Sequence, residues 1–127
     1  MPRTRRAPDQ QSSRKRAEKA GRRAEMLCAL FLRLKGYRIL ATRHKSPVGE
    51  IDIIARRGKV LIAIEVKNRP DRETALFALR PRQQVRIARA LESYAGQIGH
   101  DSDLRFDLMM VHGLVRVEHL RNAWHVN

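Results

Sequence analysis

Charged residues interrupt two otherwise apolar runs of this 127-residue chain. Glu50 and Asp52 lie in "GEIDIIA", and Glu65 and Lys67 lie in "IEVKNR". A charged side chain is rarely buried unless it is paired or bound to a metal. Two carboxylates that meet repel each other, and a hard cation such as Mg²⁺ relieves the repulsion because it prefers oxygen ligands. These residue types therefore predict a divalent-metal site with a phosphate-binding lysine beside it.

A β-hairpin is the element that must position these charges. Both runs are rich in β-branched residues, and "RRG" separates them, as in a hairpin. We expect a two-residue turn at Arg57 and Gly58. Asp52 then lies opposite Ala63 and diagonal to Glu65, so that the charges of both strands share one side of the sheet. The competing interpretation is an ordinary solvated sheet face whose charges only pair with one another.

The rest of the chain predicts helices around a mixed sheet. The predicted elements are a helix over 21–34 that could start near residue 13, a strand over 37–41, a loop over 42–49, the hairpin strands over 50–55 and 59–66, a helical turn over 74–79, a helix over 81–95, and strands over 105–111 and 114–120. Strands and helices do not alternate regularly, which argues against a doubly wound nucleotide-binding fold. No Gly-rich phosphate loop is present in the sequence, which argues against an NTPase.

The charge of the chain favours a polyanionic partner. It has 27 Lys and Arg against 13 Asp and Glu, a net charge of +14, which favours nucleic acid although a ribosome-associated protein also fits. Residues 1–20 form a basic arm, expected to be flexible, before one domain over 21–127. Arg82, Arg86 and Arg89 fall on one face of the second long helix. Such a face contacts phosphates without reading base sequence.

Cellular location and isolated side chains give weaker expectations. The longest apolar run, residues 60–64, is too short to span a bilayer, and no signal-like segment follows the basic start. We therefore expect a cytoplasmic protein, with organelle import left open by the arginine-rich N-terminus.

The only cysteine, Cys28, has apolar neighbours and is expected to pack in the core. The five histidines lack zinc-ligand spacing and are expected at the surface or at sheet edges.

Together these segments resemble known nucleases. Asp52, twelve intervening residues and then Glu65-Val66-Lys67 resemble the signature of the PD-(D/E)XK nuclease superfamily. Over residues 21–125, "GRRAEMLCALFLRLKGYRIL", "PRQQVRIARALESY", "RFDLMMV" and "HLRNAW" resemble the YraN-like family of small bacterial endonuclease-like proteins. The resemblance implies an α/β, restriction-endonuclease-like fold, with a mixed sheet of about five strands flanked by helices.

The resemblance also implies roles for individual residues. Asp52 and Glu65 match the metal-binding acids, with the carbonyl of Val66 as a third ligand for Mg²⁺ or Mn²⁺. Lys67 matches the lysine that assists the attacking water, and Glu25 matches an acid of the first helix that reaches toward the metal.

The second long helix departs in part from the family pattern. Gln84 matches a glutamine that approaches the site, and we group it with Arg82, Arg86 and Arg89 as a nucleic-acid contact. Gln83 stands where a basic residue is expected, and this puts one phosphate contact of the helix in doubt. Ile51 stands where the superfamily name has proline.

The sequence thus predicts a nucleic-acid-binding protein that acts as an Mg²⁺-dependent endonuclease, a phosphodiester hydrolase for which branched DNA is one candidate substrate. A catalytically silent nucleic-acid-binding module of the same fold is the main alternative, and a basic adaptor for a protein partner is a third. The expected partner is nucleic acid, DNA in particular, and not a membrane. A homodimer is left open.

Overall fold

The computed structural model describes residues 8–69, 71–113 and 116–126. In chain order the elements are α1 (Pro8–Leu34), β1 (Arg38–Lys45), β2 (Glu50–Arg57), β3 (Val60–Lys67), α2 (Arg72–Ala78), α3 (Pro81–Ile98), β4 (Leu104–His112) and β5 (Arg116–Leu120). The strands form one mixed sheet in the order β1-β2-β3-β4-β5. The predicted class, α/β with a five-stranded mixed sheet flanked by helices, is therefore confirmed.

One pair of neighbouring strands is parallel. β3 pairs with β4 in parallel, whereas the other neighbouring pairs are antiparallel. Parallel neighbours need a long crossover connection, and here α2 and α3 supply it. The crossover places α3 against the sheet on the face opposite to α1.

Both faces of the hairpin are buried. On one face α1 packs Cys28 against Ile53 and Ile64. On the other face α3 packs Leu91 against Ile54 and Ala63. Because successive residues of a strand point to opposite faces, a strand covered on both faces is almost continuously apolar. The charges in β2 and β3 stand out against this background.

Several helix and strand ends differ from the sequence prediction. α1 begins at Pro8, inside the segment expected to be a flexible arm, and residues 1–7 of that arm lie outside the described chain. β1 extends to Lys45, through half of the predicted loop. α3 continues past Gly96 to a left-handed cap at Gly99, where φ is 71°. A single helical glycine costs only about 1 kcal/mol relative to alanine, which packing readily offsets. No helix in the described ranges is long and apolar enough to cross a bilayer.

The hairpin turn lies one residue later than predicted. Arg57 pairs with Val60, which leaves Gly58 and the residue after it as the turn. Gly58 has a φ of 59°, and type II′ turns place a glycine of positive φ at this first central position. The register moves by two residues, so the paired residues 53–57 and 60–64 keep their predicted faces. The ladder ends at the pair Ile53–Ile64, and Asp52 and Glu65 lie immediately beyond it.

Two expectations about isolated side chains have different outcomes. Cys28 is fully buried, and this burial, with the nearby carboxyls of Asp52 and Glu25, raises the pKa of its thiol to about 12. A packing role for Cys28 is therefore confirmed. His119 lies in β5, an edge strand of the sheet as expected, but its side chain is buried at 3% exposure.

Candidate functional site

The acids of β2 and β3 meet at the end of the hairpin away from its turn. The carboxyl groups of Asp52 and Glu65 lie within hydrogen-bonding reach of each other. Asp52 Oδ2 also accepts a hydrogen bond of 2.8 Å from the backbone N–H of Val66, which fixes the orientation of its side chain. The structure thus brings both predicted metal ligands together at this end of the hairpin, where Asp52 lies toward α1 and Glu65 toward α3. Glu50 is exposed beside them and lines a small pocket with Asp52.

Glu65 is the most buried acid of this group, at 5% exposure. Its Oε2 accepts a hydrogen bond from Gln83 and lies 3.4 Å from Lys67 Nζ. Burial and the hydrogen bond to Asp52 raise the pKa of Glu65 far above its usual range, and the ammonium of Lys67 offsets only part of this effect. Without a cation, the Asp52–Glu65 pair therefore holds a proton near neutral pH.

Glu25 of α1 adds a third carboxyl to the row. It lies within hydrogen-bonding reach of Asp52, and burial and the charge of Asp52 raise its pKa. Arg43 Nε approaches Glu25 Oε2 to 3.7 Å. Arg43 adopts a left-handed backbone with a φ of 52°, a conformation that non-glycine residues rarely hold outside functional sites and turns. The structure thus places the Glu25 carboxyl beside that of Asp52.

The residues of this row fit a hard divalent cation. Two carboxyl groups lie close together, and burial keeps one of them protonated, so they form an oxygen-rich site that a cation can occupy in place of the proton. In the parts of the chain that the structure describes, no three His, Cys, Asp or Glu side chains form a ready-made metal cage. Mg²⁺ does not need one, because it commonly uses one or two carboxylates and completes its coordination with water. The groups that fit such a cation are the carboxylates of Asp52 and Glu65 and the backbone carbonyl of Val66, the residue after Glu65.

The proton on Glu65 gives a pH test of the site. Its folded-state pKa lies above its usual value near 4.5, so the folded protein binds more protons than the unfolded chain and metal-free stability falls as pH rises above that value. Glu65→Gln removes this dependence. In thermal unfolding, the variant should melt about 4 °C or more above wild type near pH 8, and the two should melt together near pH 5.

The same measurement tests metal binding. Mn²⁺ competes with the proton for Glu65, so it should raise the melting temperature of wild type near pH 8. It should change the melting temperature of Glu65→Gln by no more than about 1 °C. Glu92→Gln, the same change on an exposed acid of α3, should behave as wild type. Equal pH profiles for wild type and Glu65→Gln would contradict the protonated pair.

The glutamine that contacts Glu65 is Gln83 and not Gln84, whose role as a nucleic-acid contact stays a prediction. Gln83 donates to Glu65, whereas Gln84 Nε2 donates to the carbonyl of Leu79 at 3.2 Å. Gln83 precedes Ile87 by one helical turn, and Ile87 is buried against the sheet. When the apolar stripe of α3 is extended back by four residues from Ile87, it reaches Gln83. The sequence therefore contained a signal that Gln83 faces the sheet.

A basic groove runs beside the acids. Arg82 and Arg86 line it together with Glu50 and Gln83, and its volume is about 510 Å³. Arg89 is exposed one turn further along α3. A Cβ atom on Gly49 would lie 3.0 Å from the carbonyl oxygen of Arg86, so glycine lets the chain before β2 approach α3 closely without a tight contact. The predicted arginines are thus held next to the carboxyl row.

A second polar cluster, which sequence reasoning missed, lies around Asp107 of β4. Asp107 is fully buried and accepts hydrogen bonds from Arg105 (2.9 and 2.8 Å), His119 (2.8 Å) and the backbone N–H of Asn122 (2.9 Å). Arg105 also donates to Tyr37 Oη at 3.0 Å. The signal was available, because Asp107 interrupts "RFDLMMV" just as Glu65 interrupts β3. No buried side-chain nitrogen or oxygen of this cluster lacks a hydrogen-bond partner, which indicates a structural role.

Comparison with known proteins identifies close relatives. A family model described as "Uncharacterised protein family UPF0102" matches residues 24–111. A UPF0102 protein of Parvibaculum lavamentivorans is 47% identical over 110 residues, covering 85% of this chain and 83% of the relative. UPF0102 proteins of Caulobacter vibrioides, at 46% identity over 85% of this chain and 88% of the relative, and of Maricaulis maris, at 43% over 88% and 90%, are similar in the same way.

Proposed function

The chain belongs to the family UPF0102, which is the YraN-like family, and from this membership and the carboxyl row we propose that it is a cytoplasmic, metal-dependent endonuclease that binds nucleic acid and hydrolyses phosphodiester bonds. One observation carries the proposal: Asp52 and Glu65, from adjacent strands, are in contact with the ammonium of Lys67 3.4 Å from Glu65. A solvated sheet face would not bury an acid such as Glu65, which is 5% exposed.

The roles follow from the positions of the groups. Asp52, Glu65 and the carbonyl of Val66 would hold Mg²⁺ or Mn²⁺, with Glu25 beside Asp52. The cation would supply Lewis-acid polarisation of the scissile phosphate. Lys67 orients the attacking water and stabilises the charge that grows on the phosphoryl oxygens. The water oxygen forms a bond to phosphorus, the bond to one bridging oxygen breaks, and that oxygen leaves with a proton.

The basic surface supports nucleic acid as the substrate. Arg82 and Arg86 line the groove beside the acids, and the chain carries a net charge of +14. Guanidinium groups bind phosphates in a planar, bidentate geometry. We infer that these arginines, with Arg89, contact the phosphates on either side of the scissile bond, most favourably in DNA.

Salt dependence tests this surface. If about six phosphates are engaged, the slope of log affinity against log salt concentration should be near −5 on duplex DNA. The double variant Arg82→Ala/Arg86→Ala should reduce the magnitude of that slope by about 2, because each lost contact removes about 0.9. Arg116→Ala, on the exposed start of β5 at the far edge of the sheet, is the control. An unchanged slope in the double variant would contradict this surface.

A cleavage panel tests the function itself. The substrates are duplex DNA, a flap, a four-way junction, single-stranded DNA and RNA, each with Mg²⁺ and with Mn²⁺. The proposal expects metal-dependent products from at least one substrate, and their suppression by EDTA. Binding without cleavage of any substrate would reject the endonuclease.

That last outcome would select the alternative, a catalytically silent nucleic-acid-binding module of this fold. One observation favours it: Gln83 and Lys67 both contact Glu65 Oε2, so one of the two carboxylate oxygens is already occupied by donors. A cation would have to use Glu65 Oε1 or displace one donor. The thermal shift with Mn²⁺ described above decides whether a cation still binds.

A further inference from the structure

A groove on the outer side of the carboxyl row has no role in the function proposed above. It lies between α1 and β1 and has a volume of about 740 Å³, within the size range of clefts that hold ligands. Met26, Ala29 and Leu30 form its apolar floor. Met26 is 71% exposed and Leu30 is 52% exposed. Apolar side chains one helical turn apart on a charged helix form a patch that favours an apolar contact.

Arginines surround this floor. Arg22, Arg23 and Arg33 of α1 and Arg43 of β1 line the same groove, and Glu25 is the only acid among its lining residues. A second copy of the chain docked here about a two-fold axis would bring two such arginine sets together, which is unfavourable without acids to pair with them. The charge instead complements a polyanion that also carries apolar surface.

The groove continues into the carboxyl row. Glu25 and Arg43 line both this groove and the small pocket that contains Asp52 and Glu50. A strand whose phosphate lies at Asp52 can therefore enter the groove without leaving the protein surface. β1 is the edge strand of the sheet, so the sheet ends here and leaves the groove open along its length.

We propose that this groove binds an unpaired strand of the nucleic-acid substrate, with phosphates on the arginines and a base against Met26 and Leu30; the inference rests on the proposed function. A duplex keeps its bases stacked inside and offers mainly sugar and phosphate to a groove. An unpaired nucleotide exposes the apolar faces of its base, which pack well against apolar side chains. The substrate class is accordingly a duplex with a single-stranded branch or end.

The experiment measures the affinity of the full chain, in EDTA, by fluorescence anisotropy. One probe is a blunt DNA duplex. The other is the same duplex with a single-stranded extension, prepared in two versions so that either strand carries the extension. Wild type should bind an extended duplex about tenfold more tightly than the blunt one. Met26→Ser/Leu30→Ser should lose this preference and keep its affinity for the blunt duplex. Phe77→Ser, at an 82% exposed apolar residue of α2, should keep the preference, and circular dichroism verifies that each variant is folded.

Four outcomes would overturn the inference. Wild type could bind both probes equally, or the double variant could keep the preference for the extension. The double variant could lose affinity for both probes alike. Wild type could also sediment as a dimer and the double variant as a monomer, which would assign the patch to self-association. Failure of wild type to bind either probe would instead contradict the proposed function.

Discussion

Replacement of Asp52 by asparagine should reduce metal-dependent cleavage by more than about 10³-fold and leave nucleic-acid affinity within about threefold. Asparagine keeps the oxygen that accepts from the N–H of Val66, so the hairpin should fold as in wild type. It removes the negative charge that a cation needs, and it replaces one of only two carboxylates assigned to that cation. Binding should persist because the phosphate contacts come from Arg82 and Arg86.

Single-turnover cleavage of the best substrate of the panel, with anisotropy on the same substrate in EDTA, measures both quantities. Asp101→Asn is the matched control, because Asp101 is exposed beside the hairpin turn at the opposite end of the sheet. It should retain the wild-type rate. A cleavage rate within about tenfold of wild type for Asp52→Asn would remove Asp52 from the metal site.

Replacement of Asp107 by alanine should lower the free energy of unfolding by about 3–5 kcal/mol, a large share of the 5–15 kcal/mol typical of a domain. The change leaves Arg105 and the buried His119 without their acceptor and the N–H of Asn122 unpaired. Urea denaturation followed by circular dichroism measures the loss. Asp103→Ala, at an exposed acid just before β4, should change stability by no more than about 0.5 kcal/mol.

The stability lost in the Asp107→Ala variant should become smaller as pH falls. Burial alone would raise the pKa of Asp107, but hydrogen bonds from His119, Arg105 and Asn122 outweigh it and hold the pKa below its usual value near 3.8. The stabilisation is therefore complete above that value and is lost as pH falls through the lower, folded-state pKa. The gap between wild type and Asp107→Ala should narrow below about pH 4. A constant gap down to acid unfolding would contradict this account of the network.

The hairpin could be predicted because it depends on local pattern. Side-chain alternation fixes the faces of the paired residues once the turn has two residues, whichever two they are. The choice between Arg57-Gly58 and the pair that begins at Gly58 depends on backbone dihedrals within the turn. Asparagine at one of these positions would have marked the turn type, but the sequence has arginine and lysine around a single glycine.

The remaining misses concern relations between distant elements. The rotation of α3 about its axis decides whether Gln83 or Gln84 faces Glu65, and the tertiary packing of Ile87 sets that rotation. The partners of Asp107 come from its own strand and from the end of β5. Their convergence depends on the pairing of β4 with β5, which residue spacing alone does not determine. The start of α1 at Pro8 was missed because its first turns offer no apolar stripe to a periodicity search.

The parallel pairing of β3 with β4 has a consequence for how the chain folds. Asp52, Glu65 and Lys67 belong to one hairpin, whose contacts are short in sequence, whereas β4 can join only after α2 and α3 have closed a long loop. Loop closure of this kind is slow relative to hairpin formation. We expect the carboxyl-bearing strands to form early on the folding pathway and the Asp107 network to be completed in the last, rate-limiting step.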